Sequence, residues 1–207
     1  MEELILTKAR ELFFSYGLKS VSMDDLAKHA AISKKTIYQF FSDKESLVSC
    51  VIDQLMEQHH ELFCDCQQSA PDAVGEVILQ SRAPFETWTT VHNGFYYELQ
   101  KYYPLQWSKL EAHRSKVLVP GIRKNLKEGI SSGLYRAEIN LDVITAIRLQ
   151  QLTTALSPST FLEKKIGVDE LVHEFTVFYL HGITTAKGKK ILDTYLKKTD
   201  ETQIKNK

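Results

Sequence analysis

Three helix starts fall between Val21 and Leu47, in the stretch VSMDDLAKHAAISKKTIYQFFSDKESL. Ser22 suits an N-cap, because a serine hydroxyl accepts from a free amide of the first helical turn. Asp25 stands three residues on, in the place of a capping-box acid, and Val21 and Leu26 flank the cap as a hydrophobic staple. Ser33 opens a second helix after the turn Ala31–Ile32, predicted to run to about Phe41. Ser42 with Glu45 reads as a third start with a full capping box. Serine and aspartate compete with helical backbone hydrogen bonds, so caps this close together are incompatible with one continuous helix. The segment is therefore restricted to short helices joined by tight turns, the pattern of a helix-turn-helix.

The middle helix has two faces. Ile37, Phe40 and Phe41 recur at helical spacing and are expected to pack inward with Ile32. Lys34, Lys35, Thr36, Tyr38 and Gln39 are left facing outward. These side chains suit duplex DNA: lysine neutralises phosphate or reads guanine, threonine meets a base edge or a thymine methyl, and glutamine pairs with adenine. Tyr38 and Thr36 also have hydroxyls to donate to phosphate oxygens. Lys44 starts the next helix, whose N-terminal amides suit a phosphate. Ser22, Ser33, Lys34, Lys35, Thr36, Tyr38, Gln39 and Lys44 are the expected DNA-binding residues.

The run from Ala27 to Phe41, AKHAAISKKTIYQFF, resembles the DNA-binding signature of TetR-type transcriptional regulators, and Ser42–Leu47 resembles the lead-in to that family's fourth helix. ILTKARELFFSYG, Ile5 to Gly17, is similar to the family's first helix. The resemblance covers roughly the first fifty residues. It implies an all-α fold, with an N-terminal three-helix helix-turn-helix domain at 1–47 and a C-terminal helical bundle at 48–207 for dimerisation and effector binding. It also implies a homodimer on an inverted-repeat operator in double-stranded DNA, with repression as the default and release by a small molecule. Two positions depart from the family pattern. Ala31 stands where the family commonly has glycine, and a left-handed backbone there costs about 1 kcal/mol. Lys35 also replaces a frequent glycine, adding charge beside the groove.

The charge balance is a counterweight. The chain has 26 basic and 26 acidic residues among 207, so no global basic footprint marks a DNA binder. Only Lys28–Lys44 is locally basic. Few phosphate contacts and a modest salt dependence are expected.

The remainder reads as helix. A long helix is predicted over 44–68, a second from Ala73 to about Tyr103 with Pro84 kinking or splitting it, and shorter ones over 105–114 and 120–132. Gly133 is a stop. Asn140 or Asp142 begins a helix through Leu156, and Asp169 one through about Ala186. A short helix is predicted near Ile191–Leu196, with an unstructured end.

Trp88, Phe95, Tyr96, Tyr97, Tyr102, Tyr103 and Trp107 make 88–107 dense in aromatic rings, and aromatic walls with a few polar groups suit an apolar or amphipathic ligand. Trp88, His92, Tyr96, Trp107 and Gln151 are the candidate effector residues, although such a stripe equally serves a core. The helices 141–157 and 169–186 carry more apolar surface than one monomer face needs. Leu149, Leu152, Leu171, Phe175, Phe178 and Gly182 are the candidate dimer-interface residues, consistent with the four-helix interface the resemblance implies. One short recognition helix reads too few base pairs to be selective alone, which favours a two-fold dimer.

No metal, cofactor or enzyme motif emerges: HExxH, a phosphate-binding glycine loop and GxSxG are all absent. Cys50, Cys64 and Cys66 form no zinc pattern with His59 and His60. An odd cysteine count, no signal-peptide pattern and no membrane-length apolar run lead to an expectation of the cytoplasm. The alternative reading is a helical small-molecule-binding protein or enzyme without DNA binding.

Overall fold

Amphipathic periodicity and capping residues set ten helices among the residues that the computed structural model describes, 1–82, 91, 94–156 and 168–205. They are α1 (Glu2–Tyr16), α2 (Met23–His29), α3 (Lys34–Tyr38), α4 (Lys44–Ser69), α5 (Ala73–Gln80), α6 (Phe95–Tyr102), α7 (Pro104–Ser131), α8 (Leu141–Leu156), α9 (Val168–Ile183) and α10 (Ala186–Lys205). The chain divides into two compact units, Met1–His60 with Thr87–Arg114, and Glu61–Glu86 with Ser115–Lys207. The sequence boundary at 47/48 falls inside α4, which contributes residues to both units.

In the first unit, α1 buries Ile5, Ala9 and Phe13 and ends at Gly17, whose φ of 83° is a left-handed conformation that glycine adopts without a Cβ penalty. A Cβ there would also meet the Glu98 carboxylate at 2.8 Å. That carboxylate accepts from the Lys19 amide at 2.8 Å. α2 packs on α1 and on α3. Leu26, Ile37, Leu47, Ile52, Leu55, Phe95, Leu99 and Leu110 are fully buried around them. Phe14 and Phe95 meet edge to face at 5.3 Å between centroids, a geometry favoured by the ring quadrupoles.

The second unit is built on a buried polar node. Asn125 Nδ2 donates to the Ala73 carbonyl (2.9 Å) and to Glu76 (2.8 Å), and the Tyr135 hydroxyl donates to the same carbonyl (2.8 Å). Burial pushes the Glu76 carboxyl above its ordinary pKa. Val74, Val77, Leu126, Leu180, Ile183 and Leu192 pack around this node, and α8 lies against α9.

Several boundaries differ from the sequence reading. Pro120 sits inside α7 instead of separating two helices. The proline and Lys116, whose carbonyl loses its partner, are both exposed, so water can satisfy the freed acceptor. Pro104 opens α7 as its first residue, where a missing N–H costs nothing. Gly133 is the stop expected: at φ 70° it lets Leu134 N–H bond the Gly129 carbonyl (2.8 Å) and its own N–H bond Ile130 (3.0 Å), a Schellman closure. Asn140 Oδ1 caps α8, accepting from Asp142 and Val143 amides. The ninth helix ends at Ile183, short of Ala186, and α10 continues to Lys205 where an unstructured end was expected. The predicted effect of Pro84 lies outside the described residues.

Candidate nucleic-acid interface

The geometry of residues 21–47 starts with the cap of α2. Ser22 Oγ accepts from the Asp25 amide at 3.2 Å, and Asp25 Oδ2 accepts from the Ser22 amide at 2.9 Å. Ser22 Oγ also donates to Asp25 Oδ2 at 2.6 Å, so this hydroxyl is spent on the cap. These bonds hold the Asp25 carboxyl below its ordinary pKa. Val21 and Leu26 are buried beside it.

α2 closes through Ala31 at φ 53°, the only non-glycine with positive φ among the described residues. Ile32 N–H reaches the Ala27 carbonyl (3.0 Å) and Ala31 N–H reaches Lys28 (3.2 Å). This is a Schellman turn with alanine in the place where glycine is the default. It brings Ser33 into position to cap α3: Ser33 Oγ accepts from the Thr36 amide at 3.0 Å and lies 2.8 Å from Thr36 Oγ1.

α3 is anchored from behind. Ile37 is fully buried and Phe41 nearly so. The sequence also placed Phe40 inward, but it is 43% exposed. The helix ends at Tyr38, and Phe40 and Phe41 both bond back to the Ile37 carbonyl, so the helical phase does not carry to position 40. Lys34, Lys35, Tyr38 and Gln39 are exposed and Thr36 is half-buried. The outward edge of α3 thus carries the five side chains expected there.

Two lysines have partners the sequence did not reveal. Lys34 Nζ donates to Asp24 Oδ2 at 2.9 Å, which raises the lysine pKa. Lys44 is half-buried, with its ammonium donating to the Leu18 carbonyl and lying 5.8 Å from the Phe13 ring centroid. Burial lowers its pKa, partly opposed by Glu98 and Asp25. The ammonium assigned to phosphate therefore points into the protein, because a backbone carbonyl from the α1–α2 link captures it. The start of α4 is capped by Asp43 rather than Ser42: Asp43 Oδ1 accepts from Ser46 N (2.7 Å), and Ser46 Oγ accepts from Asp43 N (3.3 Å). The signal for this was legible as Asp43 followed three residues later by Ser46.

Of the effector candidates, Tyr96 and Trp107 come together on one cation. The Arg114 guanidinium lies 5.7 Å from the Tyr96 ring centroid and 5.5 Å from that of Trp107, and donates to Glu111 at 2.6 Å. Tyr96 is buried, which raises its hydroxyl pKa. His59 and His113 pack edge to face at 6.2 Å in the same unit. Gln151 belongs to the second unit. Trp88 and His92 lie outside the described residues.

Of the interface candidates, Leu171 is 4% exposed and belongs to the core of the second unit. Leu149 and Leu152 pack partly against that core, and Phe175 is half-buried. Phe178 is 75% exposed, and Gly182 is exposed with open space where a Cβ would stand. Val143 and Ile147 of α8 are exposed as well. Among the described residues no three potential ligands are grouped to hold a metal ion, and no helix is long and apolar enough to cross a membrane.

Comparison with known proteins agrees with this geometry. The sequence profile of bacterial regulatory proteins of the tetR family matches residues 5–51. The chain is similar to YvaF, an uncharacterized HTH-type transcriptional regulator of Bacillus subtilis (strain 168), at 24% identity over 187 residues, covering 89% of this chain and 96% of that one. It is 36% identical over 70 residues to the HTH-type transcriptional regulator EthR of Mycolicibacterium smegmatis, covering 34% of this chain but only 32% of EthR. A TetR-family transcriptional regulator from Streptomyces coelicolor shares the fold, with a TM-score of 0.70 at 16% identity over 88% of this chain and 95% of that one. The caps, the turn and the exposed α3 edge all lie within the region that profile matches, so residues 5–51 form a DNA-binding domain of the tetR type, and the relatives support a DNA-binding transcriptional regulator.

Proposed function

We propose that the protein is a homodimeric repressor that occupies an inverted-repeat operator and is released from it by a small apolar or amphipathic effector. The observation that carries this reading is the exposed edge of α3, held rigidly by buried Ile37 and Phe41 behind it. Lys35 and Gln39 offer a cation and a base-reading amide, and Lys34, Thr36 and Tyr38 contact the backbone or base edges. Ser22 and Ser33 position the two helices through their caps. Lys44 acts mainly by fixing the start of α4, whose amides face phosphate. Residues 1–47 read DNA, and 48–207 dimerise and take the effector, with Tyr96 and Trp107 among the aromatic groups. The exposed residues Val143, Ile147, Phe178 and Gly182 form the dimer face, with Leu149, Leu152 and Phe175 at its margin. The role is regulatory rather than enzymatic, and cytoplasmic.

An effector releases the operator only by binding the DNA-incompetent arrangement more tightly than the competent one. A gel-shift assay with DNA flanking the gene tests the reading. Specific retardation is expected, lost on Lys35→Ala with Tyr38→Ala, and reversed by one class of lipophilic compound. Gln39→Ala is expected to relax preference at one position per half-site in binding-site selection, with a cost of about 1–3 kcal/mol at that base pair. A protein that binds lipophilic compounds and retards no DNA would overturn the regulator in favour of a helical binding protein.

A further inference from the structure

The second unit contains a cation with no counter-ion among the described residues. Arg148, in the middle of α8, is 4% exposed. Its Nη2 donates to Thr176 Oγ1 on α9 at 3.1 Å, and its guanidinium carbon lies 4.8 Å from the centroid of the Tyr179 ring. Nη1 is buried and has no hydrogen-bond partner, and no carboxylate pairs with the group among the described residues. Burial pulls its pKa down to about 10, so it is still cationic at neutral pH. Two more buried polar atoms on the same helix are equally unsatisfied, Thr145 Oγ1 and Gln151 Oε1. Positions 145, 148 and 151 follow one another at three-residue steps, which sets them along one side of α8 over two turns.

Buried polar groups are almost always satisfied, and a buried charge with no partner is among the most unfavourable arrangements a core can hold. An apolar residue of the same volume would be less unfavourable at this position. Ile144, Leu149 and Leu152 pack against the same core, and the Tyr179 and Tyr135 side chains are close enough to the guanidinium to act on its charge. We propose that Arg148, with Thr145 and Gln151, is the headgroup site for an anionic amphipathic ligand, whose carboxylate or phosphate pairs with the free face of the guanidinium. Gln151 Oε1 would accept from a hydroxyl or amide on the same ligand, and Thr145 Oγ would complete the set. This rests on the effector reading above and narrows it to a ligand class, an anion with an apolar tail.

Calorimetric titration of the full-length protein without DNA tests it, with short-, medium- and long-chain alkanoates, the matching alkyl phosphates and the matching alcohols as probes. One of the two anions is expected to bind roughly ten- to a hundredfold more tightly than its alcohol, as a charge-assisted hydrogen bond to a buried cation should give. The tighter of carboxylate and phosphate identifies the headgroup. Arg148→Met is expected to abolish the preference while leaving the ligand-free Tm unchanged or higher, since the unpaired charge is gone. Arg148→Lys keeps a cation but loses the planar fork, and is expected to retain a weakened preference. Equal binding of anion and alcohol, or binding of no probe, would overturn the site. So would an Arg148→Met protein that unfolds several degrees lower or fails to fold while Arg148→Lys keeps the full preference. Anion preference without release of operator DNA would leave the site intact and sink the effector-controlled repressor alone.

Discussion

Lys34, the first residue of the helix offered to DNA, donates to Asp24 Oδ2 at 2.9 Å, from an exposed lysine to an exposed aspartate in the first turn of α2. The cation proposed for phosphate is therefore already engaged within the protein, and on that reading binding DNA would exchange one anion for another. Asp24→Ala should tighten operator binding by roughly two- to fivefold, the scale of an exposed ion pair. The same change in a Lys34→Ala background should give no gain, as measured by fluorescence anisotropy at one fixed salt concentration. An equal gain in both backgrounds would show that Asp24 acts by general repulsion of DNA and not through Lys34.

Ala31 occupies the left-handed position of a Schellman turn, φ 53°, between α2 and α3. Glycine meets no Cβ penalty there, and Ala31→Gly should stabilise the fold by about 1 kcal/mol despite the greater freedom of the unfolded chain. Urea denaturation at neutral pH measures this. A midpoint that falls would mean that the alanine methyl makes contacts worth more than the backbone strain.

His59 is buried in the first unit beside His113 and Arg114, and burial, followed by those two charges and His60, drives its pKa from 6.5 down to about 3. The folded protein holds it neutral, while the unfolded chain takes up a proton below about pH 6.5. This contribution is intact above that pH and is lost as pH falls toward 3, by about 2 kcal/mol at pH 5. His113 is shifted in the same direction by its own burial. Denaturation midpoints at pH 7 and pH 5 should separate by that amount in the parent protein and by clearly less in His59→Gln. Equal separations in both proteins would assign the acid sensitivity elsewhere.

Phe178 at 75% exposure and Leu171 at 4% lie on the same helix and separate two roles that sequence pattern alone merges. Phe178→Glu should weaken self-association at least tenfold in sedimentation equilibrium while leaving monomer stability within about 0.5 kcal/mol. Leu171→Ala should instead cost about 2–5 kcal/mol of stability, as a core truncation does. A Phe178→Glu protein that remains fully dimeric would move the interface to another face.

The elements that the sequence made legible are those whose chemistry is local. Ser22 with Asp25 and Ser33 with Thr36 are caps closed within one turn, Gly17 and Gly133 end helices by their own backbone freedom, and Asn140 caps α8 from two residues away. From these the succession of short helices over residues 21–47 and the outward edge of α3 follow by spacing alone. The partners of Lys34 and Lys44, the outward turn of Phe40 and the tolerance of Pro120 emerged only when distant segments packed, because each depends on which groups occupy the space beside the residue. The same holds for α8 and α9, where periodicity marks both Leu171 and Phe178 as apolar. Only the course of the rest of the chain covers one, leaves the other exposed and buries Arg148 with no counter-charge among the described residues, since burial belongs to the assembled core and not to any single helix.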